Sequence, residues 1–346
     1  MARVVIAGAG AMGASIAYHL AERGARDVVL CDVSEVAGGA TSKAMGGVRQ
    51  QFSTAAEVRL AQSSIRFFER LGPPYFLQVG YLFLATTDDG LRALEERCEL
   101  QASLGVPVET VDPSFVRGLN VADVRGAAFC PTDGCADPPA VTRWLVEAAG
   151  VPVRARTDAL DVERDVLVIA CGPWSAEVAA RVGVELPVRP LCRQLLETGP
   201  VDVQESLPMT VEAETGFHFR RRGDRLVLAM VDAEPRWGFE QVVDESVFDD
   251  RLARLVHRYP LAAGTAIERA WAGLYDMTPD AHPIIGWVGD GVYAACGFSG
   301  HGFMQSPAVG DAAAAELLGE EPPFDLAPYR LDRFAAGAVF PETLVL

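Results

Sequence analysis

Apolar residues in this chain fall into short runs and helical stripes that alternate along most of its length. Residues 4–7 form an apolar run of strand length, and residues 14–20 turn helical after a glycine-rich junction. A second apolar strand is predicted at 28–31. Helical spacing marks 57–71, which Gly72, Pro73 and Pro74 stop. Residues 80–86 read as a strand and 89–104 as an amphipathic helix. A strand at 127–130 follows, and Asp137, Pro138 and Pro139 open a helix reaching 149. Residues 166–170 are a buried strand, and a short helix runs from there to Arg181. From 191 to 231 the pattern is β, with a hairpin built from 217–220, a turn at Gly223 and Asp224, and 226–230. A helix at 248–259, strands at 267–275 and 292–295, and an alanine-rich helix ending near Leu318 complete the pattern.

Helix and apolar strand alternate at both ends of the chain and return near 166, while β pattern fills the intervals. The expected fold is therefore α/β (α+β), with two interleaved domains. Residues 1–75, 135–190 and 283–346 form a Rossmann-like nucleotide-binding domain. Residues 76–134 and 191–282 form a mostly antiparallel β-sheet domain that binds substrate. No internal repeat or low-complexity tract interrupts this order.

The junction after the first strand reads Gly8-Ala9-Gly10-Ala11-Met12-Gly13, a G-x-G-x-x-G between strand and helix. Gly8 permits the turn, Gly10 lets backbone approach a pyrophosphate, and Gly13 lets helix and strand pack. Free N–H groups at the helix start face the phosphates. Asp32, nineteen positions past Gly13, ends the second strand where a carboxylate accepts from ribose hydroxyls. That carboxylate also tells against a 2′-phosphate, and so against NADP. The motif alone leaves FAD and NAD open.

With 346 residues, half of them hydrophobic, the composition is that of a folded two-lobed protein. The formal net charge of −17 repels phosphate backbones, so nucleic acid is not an expected partner. The first strand begins within three residues of Met1 and no apolar run approaches a membrane span, so the expected location is cytoplasmic. Seven scattered cysteines, several inside apolar runs, read as small buried hydrophobes. Cys130 and Cys135 have no histidine or second cysteine pair to complete a zinc set, and no metal is assigned.

Two further stretches carry chemistry. Residues 38–49 are too rich in glycine and small residues for regular structure, yet Met45 and Val48 speak for packing against something flat rather than disorder. Gly300, His301, Gly302 and Phe303 open the last helix, giving a second helix start with glycine-bared amides. Its partial positive charge suits an anion. Reduced flavin carries negative charge at N1 and the C2 carbonyl, whereas nicotinamide gains none on reduction, which tilts the cofactor toward FAD. Gly297 to His301 misses a nucleophile elbow, because position 301 is not glycine. His218 lies between two phenylalanines, where it lines a pocket or packs in the core. Tyr275 ends a strand that leads into a loop able to roof a site.

Taken together, Gly8-x-Gly10-x-x-Gly13 with Asp32, the Gly-Ala-Thr-Ser-Lys loop running to Gly46-Gly47-Val48-Arg49-Gln50-Gln51-Phe52, Trp271 to Tyr275 with Thr278-Pro279-Asp280, and Gly297 to Met304 resemble the D-amino-acid oxidase superfamily of FAD enzymes. Within it the chain looks most like the flavin-bearing β subunits of dye-linked L-proline dehydrogenases and multi-subunit sarcosine oxidases. The resemblance implies FAD extended across the first domain, with the isoalloxazine between the domains. It implies oxidation of an amino acid C–N bond to an imine by hydride transfer to flavin N5, followed by hydrolysis. A neutral amine supplies the electron pair, so positioning matters more than a strong base.

The residues assigned to the cofactor start with the motif itself, Asp32 and Val33. The loop adds Ala40, Thr41, Ser42, Lys43, Gly46, Gly47 and Val48. Cys171, Gly172 and Trp174 follow the strand at 166–170, and Gly273, Gly300, Gly302 and Phe303 complete the set. Arg49, His218, Tyr275, His301 and Met304 are assigned to the chemistry.

Departures from the resembled family sharpen these expectations. Monomeric sarcosine oxidases place a lysine where Met304 stands and an arginine where Phe52 stands, and glycine and D-amino-acid oxidases place an arginine at Tyr275. With all three absent, Arg49 is left as the nearby cation for a substrate carboxylate, unless Arg220, Arg222 or Arg236 reaches in. The cysteine that tethers flavin in monomeric sarcosine oxidases falls on Gly273, so FAD is expected to be non-covalent, with neighbouring His282 the remaining candidate for a link. Residues 151–166 are shorter than the family's β-meander at the adenine.

Three readings remain at this stage. The first is an FAD-dependent oxidoreductase for a sarcosine-, proline- or glycine-type amine, passing electrons to oxygen or to a dye or quinone acceptor, with partner subunits possible. The second is an NAD-dependent dehydrogenase. The third is a flavin-bearing subunit acting mainly in electron relay.

Overall fold

The computed structural model describes residues 2–342. Residues 1 and 343–346, at the extremes of the expected nucleotide-binding domain, lie outside the described residues. Seven helices occur among the described residues: α1 (Ala11–Glu22), α2 (Ala55–Leu71), α3 (Asp88–Ser103), α4 (Pro138–Ala149), α5 (Ser175–Ala180), α6 (Phe248–Arg258) and α7 (Gly302–Leu317). None is long and apolar enough to cross a membrane.

A six-stranded sheet has the order Ile284–Gly289, Val292–Cys296, Val166–Ile169, Val4–Ala7, Val28–Cys31, Val153–Arg154. All its pairs are parallel except the antiparallel pair of Ile284–Gly289 with Val292–Cys296. Its central strands are buried on both faces, which is why they read as continuous apolar runs. Helix α1 packs between α4 and α7 on one face. Ile16, Ala17 and Leu20 meet Val309, Ala312 and Ala313, and the small residues of α7 let the two backbones approach closely. Leu186, Val188 and the short 159–161 turn cover the opposite face.

A nine-stranded, mostly antiparallel sheet carries the residues between. Its order is Arg236–Trp237, Arg189–Thr198, Arg225–Ala229, His218–Arg222, Met209–Glu212, Tyr81–Ala85, Gly126–Cys130, Glu109–Val111, and Ile267–Met277 pairs along Arg189–Thr198. One face packs Leu82, Leu84, Phe217, Phe219, Leu226 and Leu228 beneath α6. Since side chains alternate along a strand, the partner residues Tyr81, Phe83, Val211, His218, Arg220, Val227, Leu195, Arg193, Trp271, Gly273 and Tyr275 share the other face. A third sheet of Gly47–Val48, Gly134–Ala136 and Phe76–Leu77 sits on that side.

Several elements differ from expectation. Helix α1 begins at Ala11, with Gly10 as its N-cap, so it starts inside the glycine motif rather than after it. The stretch expected to be irregular contains a 3-10 turn at Ala40–Lys43 and the strand Gly47–Val48, with Val48 fully buried. Strand Ile284–Gly289 was not marked, since Pro283 and Gly286 break its pattern. In the short 151–166 segment, Val153–Arg154 adds an edge strand beside Leu30 and Cys31. Arg164 then clips the following turn by donating to the carbonyls of Ala159, Leu160 and Val162.

Candidate active site

The first strand delivers the chain into Gly8, whose φ of +102° belongs to the left-handed region. A Cβ there would run into the Ala170 carbonyl, and one on Gly13 would meet the Gly8 carbonyl. A Cβ on Gly10 would lie 3.1 Å from the Thr41 hydroxyl. The turn is drawn together by Asp32: Ala9 N–H donates to Oδ2 at 2.7 Å, while Ser34 N–H and hydroxyl donate to Oδ1 at 2.7 and 2.8 Å. Thr41 Oγ1 accepts the Ala11 N–H at 3.1 Å, bringing the 40–43 turn against the start of α1. Bare backbone, a helix N-terminus and a carboxylate with lone pairs to spare form a cradle that fits the pyrophosphate and ribose of FAD. Val33 projects beside it with 75% of its surface exposed. On the other flank Cys171 Sγ donates to the Ala7 carbonyl, and Trp174 lies 3.5 Å from the Cβ position of Gly39 and stacks on Phe239.

The second helix start is held by an equally specific network. Gly297, Ser299 and Gly300 all have positive φ, and Ser299 at +51° is a non-glycine residue in a region that costs of order 1–3 kcal/mol. Asp276 holds this loop: Gly297 N–H donates to its carboxylate at 2.8 Å and Ser299 N–H to its carbonyl at 3.0 Å. Burial pushes the Asp276 carboxyl up to about 6. At Gly300 a Cβ would strike the Tyr275 ring, so this position requires glycine. One turn into α7, Gln305 donates to Glu57, which also accepts from His282 Nδ1 at 2.9 Å. His282 Nε2 meets the Phe340 carbonyl at 2.6 Å. Carboxylate and carbonyl can only accept, so both ring nitrogens donate and His282 is an imidazolium, in line with its raised pKa.

Between these anchors, Arg49 follows the strand Gly47–Val48 into the interior and is only 2% exposed. Its guanidinium lies 4.1 Å from the Phe52 ring centroid and 5.8 Å from that of Phe83. It donates to the Gln51 carbonyl and meets His301 Nε2 at 3.3 Å. A guanidinium only donates, so in this contact Nε2 stands as the acceptor. His218 is buried on the sheet face nearby, and burial lowers its pKa to about 4, with its Nδ1 on the Gly216 carbonyl and Arg49 adding to the shift. Tyr275 shares this space with Arg49, and Met304 is buried beneath. Behind Arg49, buried Asp133 accepts from Gln50 N–H and Nε2, each at 3.0 Å, and from Gln51 Nε2 at 3.2 Å. Asp133 thereby fixes the segment that carries Arg49. Burial lifts its carboxyl to about 6.

Of the other arginines considered, Arg222 pairs with Glu197 and Arg236 with Asp232, while Arg220 lines a cavity of about 160 Å³ with Cys135 and Tyr75. The sequence reading missed Arg193. It stands directly across from Gly273 in the Arg189–Thr198 and Ile267–Met277 pair, and its guanidinium lies 5.8 Å from the Tyr275 ring centroid. Its Nε and Nη1 are buried and meet no acceptor among the described residues. Each such N–H costs about 1–3 kcal/mol unless something accepts from it. Among Leu191, Cys192 and Leu195 its charge stands out on the strand, but the sequence alone does not say which way it faces.

Gly273 and the loop are close neighbours: a Cβ at 273 would lie 2.6 Å from Lys43 Cβ, and Trp271 Nε1 donates to the Lys43 carbonyl at 3.0 Å. Lys43, Ser42, Arg222, Arg269 and Trp271 line an open cavity of about 170 Å³.

Comparison with known proteins places this arrangement. The chain is 25% identical over 380 residues to mitochondrial sarcosine dehydrogenase of Mus musculus, covering 96% of this chain and 41% of that protein. It thus spans about two fifths of the length of the first curated relatives it matches. With glycine oxidase of Geobacillus kaustophilus the likeness is end to end, 28% identical over 95% of this chain and 96% of that one. The structure superposes on L-proline dehydrogenase from P. horikoshii with a TM-score of 0.91 at 26% identity, over 98% of this chain and 99% of that one. The family described as DAO, FAD dependent oxidoreductase, matches residues 3–316, and the chain belongs to that family.

Proposed function

We propose that this protein oxidises the C–N bond of a small amino acid or secondary amine of the sarcosine, proline or glycine type to an imine. The observation that carries this reading is Arg49, a cation buried beside two imidazoles, His218 and His301, between the glycine-rich loop and the start of α7. The cation suits a substrate carboxylate. The His218 ring, kept neutral by burial, does not repel an amine.

Residues 8–13 and Asp32 would hold the pyrophosphate and ribose of FAD; Ala40 to Lys43, Gly46 to Val48 and the start of α7 at Gly300, Gly302 and Phe303 would border its ring system. FAD, when bound, supplies the two-electron acceptor that takes hydride from the substrate carbon. Around it, Tyr275 and Phe52 shape the pocket, Met304 closes its floor, and Arg49 orients the carboxylate. Water must be excluded until the imine forms, and the buried apolar faces of Phe52 and Phe83 serve that end.

In this reading, residues 1–75, 135–190 and 283–346 constitute the FAD-binding domain and 76–134 with 191–282 the substrate domain. In support, the six-stranded sheet draws its strands from the first group, and all of the nine-stranded sheet but Arg189 and Pro190 lies in the second. The flavin is held non-covalently: Gly273 offers no side chain, and both nitrogens of His282 are engaged. Acid precipitation should leave the yellow colour in the supernatant, and colour in the pellet would contradict this.

The main test is an anaerobic panel of sarcosine, L-proline, glycine and their N-methyl relatives mixed with the flavin-loaded protein. Bleaching of the flavin bands by one of them is the expected outcome. If none bleaches them while dithionite does, the oxidation reading fails and electron relay takes its place. Reoxidation by oxygen against a quinone or dye then identifies the acceptor.

A further inference from the structure

Arg193 has a place in the fold that no role so far explains. It sits on the face of the nine-stranded sheet that also carries Trp271, Gly273 and Tyr275. Three other cations of the sheet region are matched by carboxylates: Arg222 and Arg269 share Glu197, and Arg225 holds Glu268. Arg193 instead buries Nε and Nη1 with no acceptor among the described residues, and its guanidinium lies 5.8 Å from the Tyr275 ring centroid. In a chain of formal net charge −17, a carboxylate could readily have been placed there.

We propose that Arg193 is a catalytic residue that donates to the bound flavin and carries the negative charge its ring gains on reduction. This rests on the FAD reading of the site. Position separates its task from that of Arg49. The strand partner of Arg193 is Gly273, whose bare backbone lies against Lys43, and Trp271 on the same face bonds to Lys43. Arg193 therefore faces the loop that borders the ring system and the Gly300 end of α7, against which Tyr275 rests. Arg49 lies toward Phe52, Phe83 and His301. Both guanidiniums act electrostatically on Tyr275, and Arg193 lies 5.8 Å from its ring centroid. A planar fork matches two adjacent acceptors such as a ring nitrogen and a carbonyl oxygen.

The test uses sulfite on the flavin-loaded protein, so it needs no substrate. The sulfur lone pair of sulfite forms a bond to N5 of oxidised flavin, and the pair displaced from the ring leaves its charge on the N1 and C2 carbonyl side. A cation there tightens the adduct. Arg193→Met should raise the sulfite Kd at least tenfold and lower the flavin reduction potential measured against a reference dye. Arg193→Lys should recover most of both. Substrate KM should move little. If Arg193→Met folds poorly, Arg193→Gln gives the same neutral comparison at similar size. Sulfite Kd within twofold of the parent in the neutral variants overturns the proposal: with a raised KM it makes Arg193 a second carboxylate anchor, and with only a lowered Tm it makes it a prop for Tyr275. Failure of every amine to bleach the flavin would sink the proposed function and leave the sulfite result standing.

Discussion

At the scale of single residues, the site depends on charges whose surroundings decide their state. Arg49 was legible from the sequence because a long cation at the end of a glycine-rich loop has few reasons to be there without an anion. Arg193 was not, because an arginine on a strand reads the same whether it faces water or a cleft; only register against Gly273 distinguishes the two. Arg49→Met should cost about 2–5 kcal/mol in transition-state binding, as when one partner of a buried charge pair is removed. Rapid-mixing reduction kinetics would show this as a raised substrate Kd with a nearly unchanged limiting rate. Asp133 was invisible in sequence, a lone acid in a turn, yet it is buried and accepts three bonds from the two residues after Arg49. Its pKa is raised to about 6, above the ordinary carboxylate value, so between about pH 4 and 6 the folded protein holds a proton that the unfolded chain releases. Its contribution to stability is therefore present at pH 4 and lost as the pH rises through about 6. Urea midpoints measured from pH 4 to 7 should fall more steeply for the parent than for Asp133→Asn.

Among the elements, α7 shows how a helix start is built for a ligand and then anchored. The glycines at 300 and 302 and the alanines behind them were readable, since small residues bare the backbone in front and permit close packing on α1 behind. What lies beneath was not, because Glu57, His282 and Gln305 come from three distant stretches and converge only in space. Glu57 is 1% exposed and its carboxylate accepts from the buried His282 imidazolium at Nδ1. Glu57→Gln removes one partner of a buried pair and should lower stability by about 3–5 kcal/mol. Chemical denaturation would register this as a lower midpoint with an unchanged slope. A loss below 1 kcal/mol would mean that His282 is neutral in the folded state. The strands Ile284–Gly289 and Val153–Arg154 escaped notice for a simpler reason: edge strands are short, and proline and glycine are tolerated in them.

Across the whole molecule, the fold class followed from the alternation at the two ends and the β pattern between, while the pairing order could not. Strand Val4–Ala7 lies at the middle of its sheet, flanked by Val28–Cys31 and by Val166–Ile169, and the latter is flanked in turn by Val292–Cys296. This interleaving has a consequence for biosynthesis. At roughly 5–20 residues per second, the interval between the first strand leaving the ribosome and α7 following it is about 15–60 s. During that time the glycine turn has only one of its two strand neighbours, then gains the second, and still lacks the helix that packs on α1. Ribosome-bound chains halted after residue 190 should remain open to protease and take up no FAD, whereas chains halted far enough past α7 for that helix to clear the exit tunnel should do both the reverse. Cofactor capture is thus tied to the emergence of α7, so a cell short of FAD would accumulate chains that have made that helix but lack the ligand its start is built for.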